Sequence, residues 1–368
     1  MMSDMTPEFE RVINISSKRR LIHFMKTRKL ANRMFPSFSG LICAVTCSLF
    51  CLLETSSVLS DDLSLKSLAT SRVLVLGDSI TYGGQYVADL ETYLRLTFPD
   101  QPVNILNQGL PSETVSGLSE PGHAGGKFPR PDLHERLDRA LAKLKPEIVL
   151  ACYGMNCGIY HPYSVDRFEA YKVGMRRLHD RVVAAGAEII HVTPPVFDPK
   201  PIAQRTLPAG LDVYGQPYEG YDEVLGLYAA WLLAMRGEEW KVVDIHSPMK
   251  QLLLDRRAKD PGFRFAGDGV HMNAEAHWLT AQWILGFFGA SDHFGKWPTP
   301  DAMAASHLGK KSDLPKLIKQ RQRLLCDSWL TDIGHLRPGM SKGLPINEAI
   351  EKANELDAQV QDLITDSE

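Results

Sequence analysis

RVLVLGDSITYGG, residues 72–84, contains four consecutive aliphatic residues, then Gly77, and then the polar side chains of Asp78, Ser79 and Thr81. An apolar run of this length is typical of a strand that is buried on both faces, as in parallel sheets. Such a strand usually leads into a helix through a short turn, so Ser79 could serve only as a helix cap. Whether Ser79 is instead a nucleophile depends on the presence of partners elsewhere in the chain.

Strand-like and helical patterns alternate from about residue 70 to residue 288. Five strands separated by helices predict a parallel sheet covered on both faces, a three-layer, doubly wound α/β fold. Two common strand orders fit, and we favour 2-1-3-4-5, which reverses between strands one and three. Ligands bind at the carboxyl ends of the strands beside such a reversal, where Ser79 follows strand one. The predicted strands are 73–77, 103–106, 148–153, 188–193 and 241–245.

Helical patterns fill the spaces between the strands, and two irregular Gly/Pro-rich stretches, 111–131 and 197–220, interrupt them. After about residue 291 the pattern changes, and KWPTPDAM, residues 296–303, is typical of a connector. The predicted helices are 86–98, 133–144, 165–185, 221–236, a short one at 249–258, 273–288, 316–333 and 346–364. We interpret the last two as an appended C-terminal helical hairpin.

The N-terminus resembles a targeting signal. A basic stretch precedes the apolar run GLICAVTCSLFCLL, residues 40–53, which suits a signal-peptide core better than a membrane span. Because the basic stretch is long, Met25 or Met34 could be the true first residue of the protein. The apolar run could alternatively be an uncleaved membrane anchor. We therefore predict an exported protein with a leader or anchor at 1–60, a catalytic domain at 61–290 and a helical extension at 291–368.

Charge and cysteine content narrow the class of protein. The first 40 residues carry eight basic and three acidic residues, so the remainder has 33 basic and 41 acidic ones, a net charge of −8. This balance argues against a nucleic-acid partner. Three of the six cysteines lie in the apolar run, and the other three, Cys152, Cys157 and Cys326, imply no disulfide framework. Zinc-site spacings of the C-x-x-C or H-E-x-x-H kind do not occur in the sequence.

FAGDGVHMNAEAHWL, residues 265–279, supplies the partners that a nucleophilic serine needs. Asp268 and His271 lie three apart in a loop before a helix, so one rigid turn can present a base and the carboxylate that orients it. Two further loop residues, Gly109 after strand two and Asn156 after strand three, should emerge beside Ser79 at the same sheet edge. Backbone and side-chain N–H groups converging there could stabilise a developing oxyanion.

GDSIT, NQG, GMN and DGVH resemble the four sequence blocks of the SGNH, or GDSL-type, esterases and lipases, over about residues 72–290. The resemblance implies a flavodoxin-like αβα fold and a Ser-His-Asp hydrolase without metal or cofactor. It assigns Ser79 as the nucleophile, His271 as the base and Asp268 as its orienting carboxylate. It also implies an oxyanion hole formed by the N–H groups of Ser79 and Gly109 and the side chain of Asn156.

One position departs from the family pattern. The third block usually reads G-x-N-D, but Cys157 follows Asn156 here. The family's Asp normally helps to hold this loop, so the departure leaves the orientation of Asn156 open.

The resemblance and the predicted export favour a serine esterase that removes small acyl groups, such as acetyl, from carbohydrates. Lipid esters are the alternative substrate class, and a binding protein that keeps the fold without turnover is the alternative of another kind. The Gly-rich segment PGHAGGKF, residues 121–128, lacks the pattern of a phosphate loop but could contact the substrate. The oligomeric state is left open. The candidate substrate contacts are Asp78, Met155, His123 and Lys127.

Overall fold

The computed structural model describes residues 63–366, in which five strands alternate with helices. The predicted leader and its apolar run at 40–53 lie outside these residues. Within residues 63–366, no helix combines the length and hydropathy that crossing a membrane requires. The strands are β1 (Arg72–Gly77), β2 (Asn104–Gly109), β3 (Ile148–Cys152), β4 (Glu188–Val192) and β5 (Lys241–Val243). The α-helices are α1 (Leu65–Thr70), α2 (Ser79–Gly83), α3 (Gln85–Thr97), α4 (Leu137–Leu144), α5 (Val165–Ala184), α6 (Tyr221–Ala234), α7 (His246–Lys259), α8 (Ala274–Leu285), α9 (Pro300–Leu308), α10 (Leu314–Ile333) and α11 (Ile346–Thr365).

The five strands form one parallel sheet in the order β2-β1-β3-β4-β5, which confirms the predicted order. Gly77 at the end of β1 pairs with Gly109 on one side and with Cys152 on the other. Strands β2, β1 and β3 therefore end at the same level. The loops that follow them share one edge of the sheet, beside the reversal in strand order.

Alternate residues of β1 enter two separate hydrophobic cores, as the period-two geometry of a strand requires. Leu74 and Leu76 pack into the core that α4, α5, α6 and α7 cover. Val73 and Val75 pack into the core on the other face, which α1, α3, α8 and the C-terminal helices cover. Burial on both faces explains why the strand consists of aliphatic residues without alternation.

The connector predicted at residues 296–303 is wrong in its second half, because helix α9 begins at Pro300. Thr299 caps that helix by accepting the Ala302 N–H through Oγ1 at 3.0 Å, and Pro300 occupies the first helical turn. Proline is favoured at this position, because its missing N–H would have no intrahelical partner there. The same tolerance of proline in a first turn lets α7, predicted at 249–258, begin at His246 before Pro248; the helix ends at Lys259.

The two C-terminal helices, α10 and α11, pack on each other and against α3 and β2. A buried carboxylate, that of Glu91 in α3, accepts from Arg95 at 2.7 Å and from Arg321 of α10 at 3.3 Å. Asp357 of α11 pairs with the same two arginines. These ion pairs and the shared apolar core hold the C-terminal helices against α3 and the sheet. The boundary at residue 290 between the catalytic domain and the helical extension remains a prediction.

Buried histidines are expected to make the folded state sensitive to acid. Burial lowers the pKa of His277 to about 4 from an ordinary value of 6.5. The unfolded chain therefore binds more protons than the folded one below pH 6.5, and stability falls as the pH drops from there toward 4. At pH 5 this histidine alone should cost about 2 kcal/mol of unfolding free energy.

We expect His277→Gln to reduce the stability difference between pH 7 and pH 5 by about 2 kcal/mol, measured from urea unfolding curves at both pH values. His307→Gln is the matched control, because His307 is exposed on α9 and its replacement should leave the difference unchanged. An unchanged pH dependence in His277→Gln would remove His277 as the cause.

Candidate active site

The loops after β1, β2 and β3 meet at the carboxyl edge of the sheet. Asp78 and Ser79 follow β1 directly, and Ser79 is the first residue of α2. Asp78 caps this helix by accepting the Ile80 N–H through Oδ1 at 2.9 Å. The cap function that the sequence allowed for Ser79 is thus carried by Asp78, and the Ser79 hydroxyl is left for another contact.

The Ser79 hydroxyl lies 2.9 Å from Nε2 of His271, although 192 positions separate the two residues in the sequence. Nδ1 of the same imidazole lies 2.6 Å from Oδ2 of Asp268. The histidine therefore bridges a hydroxyl and a carboxylate. This arrangement can remove the serine proton and stabilise the imidazolium that forms.

Asp268 is held by its own turn. Its Oδ1 accepts the backbone N–H groups of Val270 at 3.0 Å and His271 at 2.8 Å, which leaves Oδ2 for the imidazole. Gly269 adopts a φ of 82°, and a Cβ there would lie 2.6 Å from the carbonyl oxygen of Asp198. Glycine is required at this position because both the left-handed backbone and the close approach exclude a side chain.

The ionisation of Asp268 follows from the same contacts. Partial burial alone would raise its pKa, but the hydrogen bonds from the His271 side chain and from the His271 and Val270 N–H groups lower the pKa below 3.8. The carboxylate is therefore charged throughout the neutral range. The side chains of His271 and Asp268 are 53% and 49% exposed, so the site opens to solvent.

Asp78 differs from Asp268 in being almost completely buried. Burial raises its pKa to about 6, against the hydrogen bond from Ile80 and the charge of His271, which lower it. Its Oδ2 accepts from Nδ2 of Asn156 at 3.2 Å. Asp78, predicted as a substrate contact, thus uses its side chain within the protein, to cap α2 and to contact Asn156.

Asn156 is held by residues that the sequence analysis did not single out. Its Oδ1 accepts from Nη1 of Arg130 at 2.8 Å and from the Tyr160 hydroxyl at 3.1 Å. Cys157, at the position of the family's Asp, is fully buried in the core and accepts the Ser116 hydroxyl through its carbonyl at 3.0 Å. Arg130 comes from the long loop at 111–131, so no spacing pattern could have linked it to Asn156.

Gly109 does not fit the predicted role of oxyanion donor, since its N–H donates to Oδ1 of Asn107 at 2.9 Å. What requires glycine at this position is close packing. A Cβ there would lie 2.7 Å from the carbonyl carbon of Thr81, in the helix that Ser79 begins. The glycine lets α2 lie against the end of β2.

Ser112 is a backbone feature of this edge that sequence reasoning missed. It follows Pro111 in a turn closed by the Glu113 N–H donating to Leu110 O at 3.1 Å, and its φ is 68°. Position i+2 of a type II turn needs a positive φ and usually carries glycine. A non-glycine residue held in this conformation is often found at functional sites. The same turn borders Asn156, whose Nδ2 lies 3.5 Å from the carbonyl oxygen of Glu113.

The other predicted substrate contacts have mixed outcomes. Met155 is 1% exposed and packs in the core, so its side chain does not reach the surface of the site. His123 is partly exposed and lies 3.7 Å from Glu120, against the edge of the Phe128 ring. Lys127, in the same loop, is exposed. The surface loop predicted from the glycines is therefore present, but only Lys127 is open to solvent, since the His123 side chain is 10% exposed and its Nε2 is buried.

A second missed feature is the contact between α10 and the helix that carries Ser79. The hydroxyl of Tyr82 in α2 donates to Asp327 at 2.9 Å, and the guanidinium of Arg323 lies 3.9 Å from the centre of its ring. Cys326 and Leu330 of α10 pack on Leu110, beside the turn described above. Helix α10 therefore forms one wall of the edge where Ser79 lies.

Metal ligation has no obvious place here. Across residues 63–366, no group of three or more His, Cys, Asp or Glu side chains could hold a metal ion. The three cysteines in this range are buried, unpaired thiols, and burial raises the pKa of Cys326 to about 12.

Comparison with known sequences places the chain in a family. A sequence profile matches residues 75–279, more than half of the chain, and this range contains Ser79, Asn156, Asp268 and His271. The chain belongs to the GDSL-like lipase/acylhydrolase family. It is therefore a carboxylic ester hydrolase, as the resemblance implied. The comparison with curated protein sequences gives no match.

Solved structures similar to this GDSL-like hydrolase include Axe2, an acetylxylan esterase from Geobacillus stearothermophilus. That match has 18% identity, a TM-score of 0.45, and covers 61% of this chain and 96% of Axe2. LAE5, from the metagenome of Lake Arreo, Spain, matches with 21% identity, a TM-score of 0.45 and coverage of 60% and 96%. A gut microbial diltiazem-metabolizing enzyme matches with 18% identity and a TM-score of 0.48 over 60% of this chain, which spans only 47% of that protein.

Proposed function

We propose that the chain hydrolyses esters through an acyl-enzyme on Ser79, with His271 as general base and acid and Asp268 as the carboxylate that orients it. The observation that carries the proposal is the hydrogen-bond chain from Asp268 Oδ2 through His271 to Ser79 Oγ, with distances of 2.6 and 2.9 Å. These distances lie within hydrogen-bonding range, so proton transfer needs no rearrangement of the chain.

In the first half-reaction Ser79 Oγ attacks the ester carbonyl carbon while its proton moves to Nε2 of His271. The carbon–oxygen π electrons move to the carbonyl oxygen, which becomes the oxyanion. When the tetrahedral intermediate collapses, the bond to the alkoxy group breaks and the imidazolium donates its proton to the leaving alcohol.

Water completes the cycle by the same route. His271 Nε2 takes a proton from a water molecule as the water oxygen attacks the acyl carbon. The second tetrahedral intermediate then releases the carboxylic acid, and Ser79 Oγ regains its proton from the imidazolium. Asp268 remains ionised throughout, consistent with its lowered pKa.

Three donors are proposed for the oxyanion. The Ser79 N–H belongs to the first turn of α2, whose amides have no partner within the helix. Asn156 supplies Nδ2, which donates to Asp78 Oδ2 at 3.2 Å and makes only a long contact, at 3.5 Å, with the Glu113 carbonyl oxygen that an oxyanion could replace. We include the Ser112 N–H in place of Gly109, because the Gly109 amide is engaged by Asn107 whereas Ser112 occupies the left-handed turn beside Asn156.

Asn156→Ala is expected to lower kcat by about 100- to 1,000-fold, which is the usual cost of removing one oxyanion donor. KM should change little, since the interaction forms as the charge develops. Steady-state kinetics with p-nitrophenyl acetate give the comparison. Asn354→Ala, in α11, is the control and should retain full activity. An Asn156→Ala enzyme with normal kcat would remove Asn156 from the mechanism.

We propose small acyl esters of carbohydrates as the substrates. The half-exposed side chains of His271 and Asp268 suit an acyl group carried on a polar surface, which can approach an open site. The loop that contains Glu120 and Arg130 also offers the exposed side chain of Lys127 to such a substrate, whereas the His123 side chain is largely buried. Export of the protein belongs to the proposal too, and it depends on the basic stretch and apolar run at the N-terminus.

The test is hydrolysis of p-nitrophenyl esters from acetyl to palmitoyl by the purified protein. Activity that is highest on acetyl and declines with chain length supports the proposal. Activity that peaks on long chains would replace it with a lipase function. A folded protein with no activity that also resists labelling by a fluorophosphonate would contradict an acyl-enzyme on Ser79 and favour a non-catalytic relative.

A further inference from the structure

Asn156 can donate to an oxyanion only if its amide is turned the right way. The oxygen and nitrogen of an asparagine side chain have nearly the same shape, so hydrogen bonds decide the orientation. Here two donors, Arg130 Nη1 at 2.8 Å and the Tyr160 hydroxyl at 3.1 Å, converge on Oδ1. A guanidinium can only donate, so the flipped amide would set N–H against N–H. Nδ2 is thereby directed to the Asp78 side.

Arg130 is itself held in place from several directions. Its Nε and Nη2 donate to the two carboxylate oxygens of Glu120, both at 2.7 Å. Its backbone N–H donates to the Ser119 hydroxyl at 2.9 Å, and its guanidinium lies 5.2 Å from the centre of the Tyr160 ring. The residue is 9% exposed. A bidentate pair of this kind fixes the direction of the remaining nitrogen, Nη1, which bonds Asn156.

Tyr160 reaches Asn156 through a strained backbone. Ile159 and Tyr160 have φ values of 51° and 57°, a conformation that is unfavourable for any side chain and especially for β-branched isoleucine. Tyr160 also packs against Tyr221, at 4.9 Å between ring centres. Strain of this kind persists where the surroundings enforce it, and its result here is a hydroxyl aimed at Oδ1.

The charge of Arg130 has a second effect. A positive charge bonded to an amide oxygen withdraws electrons from the amide and makes its N–H groups stronger donors. This effect is large where water is excluded, and Asn156 is 4% exposed. Cys157 cannot supply a comparable contact, because its side chain is buried in the core.

We propose that Arg130, clamped by Glu120 and assisted by Tyr160, is a positioning residue that orients and polarises Asn156 for the oxyanion. The inference rests on the proposed function, since it assumes that Asn156 contacts the oxyanion. Arg130 acts through Asn156 and touches no reacting atom, so its contribution should exist only while Asn156 is present.

A double-mutant cycle tests this dependence with p-nitrophenyl acetate as substrate. Arg130→Gln is expected to lower kcat by about 10- to 100-fold with KM changed by less than about twofold. In the Asn156→Ala background the same substitution should change kcat by less than about twofold, because its target is gone. Arg176→Gln is the control, as it removes an exposed Arg–Glu pair and should leave kcat unchanged in both backgrounds.

The outcomes separate the possibilities. Equal losses of kcat from Arg130→Gln in both backgrounds would show a structural role and overturn the inference. A low kcat in Asn156→Ala together with a wild-type kcat in Arg130→Gln would also overturn the inference, but would leave the proposed function intact. Normal activity in Asn156→Ala would reject the oxyanion role of Asn156, and the inference with it.

Two milder variants keep the test decisive if Arg130→Gln does not fold. Arg130→Lys retains the charge but cannot bond Glu120 and Asn156 with the same planar fork, so it should recover only part of kcat. Tyr160→Phe removes one hydroxyl and should lower kcat several-fold, again only when Asn156 is present. The rate at which a fluorophosphonate labels Ser79 should rank the wild type and these variants in the same order as kcat does. Wild-type rates in both variants would overturn the inference.

Discussion

Ser79→Ala is expected to lower kcat for p-nitrophenyl acetate by at least about 10⁴-fold, and up to about 10⁶-fold, because removing the nucleophile of a Ser-His-Asp triad has effects of this size. The hydroxyl forms one hydrogen bond, to His271, and the helix it begins is capped by Asp78. Its removal should therefore leave the thermal unfolding temperature nearly unchanged. Steady-state assays of the purified variant measure kcat, and circular dichroism melting curves measure the thermal unfolding temperature.

Two controls belong with this variant. Ser247→Ala changes an exposed serine at the start of α7 and should keep full activity. Labelling with a fluorophosphonate should be complete in the wild type and absent in Ser79→Ala. A Ser79→Ala enzyme that retains a tenth or more of the wild-type kcat would mean that another group attacks the ester.

Asp268→Asn is expected to lower kcat by about 10⁴-fold while the loop keeps its shape. The asparagine oxygen can replace Oδ1 and accept the N–H groups of Val270 and His271, which hold the turn. Its Nδ2 then faces Nδ1 of the imidazole as a donor. The histidine must accept there and carry its proton on Nε2, so it cannot take the proton of Ser79.

Asp260→Asn is the matched control for this substitution. Asp260 also accepts a backbone N–H two residues ahead, that of Gly262 at 2.9 Å, in an exposed turn without a histidine partner. This variant should retain the wild-type kcat and the wild-type melting temperature. If Asp268→Asn lost activity by less than tenfold, the carboxylate would have no part in orienting His271.

Much of the fold could be predicted because its signals are local. An aliphatic run such as residues 73–76 is buried on both faces in any parallel sheet, so the strands follow from composition and spacing. The chirality of crossover connections then limits the possible strand orders. The predictions are wrong where one residue type, such as proline, is common in two kinds of local structure. The proline-containing segment 296–303 is typical of a connector, but Pro300 begins a helix.

The candidate site could be predicted to the extent that the family blocks mark it. Ser79 and Asp268 each lie within hydrogen-bonding distance of His271, as the proposed roles require, because strand ends and a tight D-x-x-H turn bring them to one edge. The assignment of Gly109 failed for a different reason. The sequence shows that glycine is present, but the close approach of α2 and the bond to Asn107 depend on packing.

The sequence by itself determined the five strands, the edge at which Ser79 lies and the turn that pairs Asp268 with His271, since each follows from contacts between near neighbours or from a repeated pattern. Two strand orders fitted the sequence, and the pairing of the strands in the folded sheet decided between them. Only the tertiary structure decided what orients Asn156. Arg130 lies 26 positions away in an irregular loop, where Glu120 of the same loop holds it and Tyr160 reaches it from a further segment. No periodicity links such residues, because they meet only after the loop has folded onto the edge of the sheet.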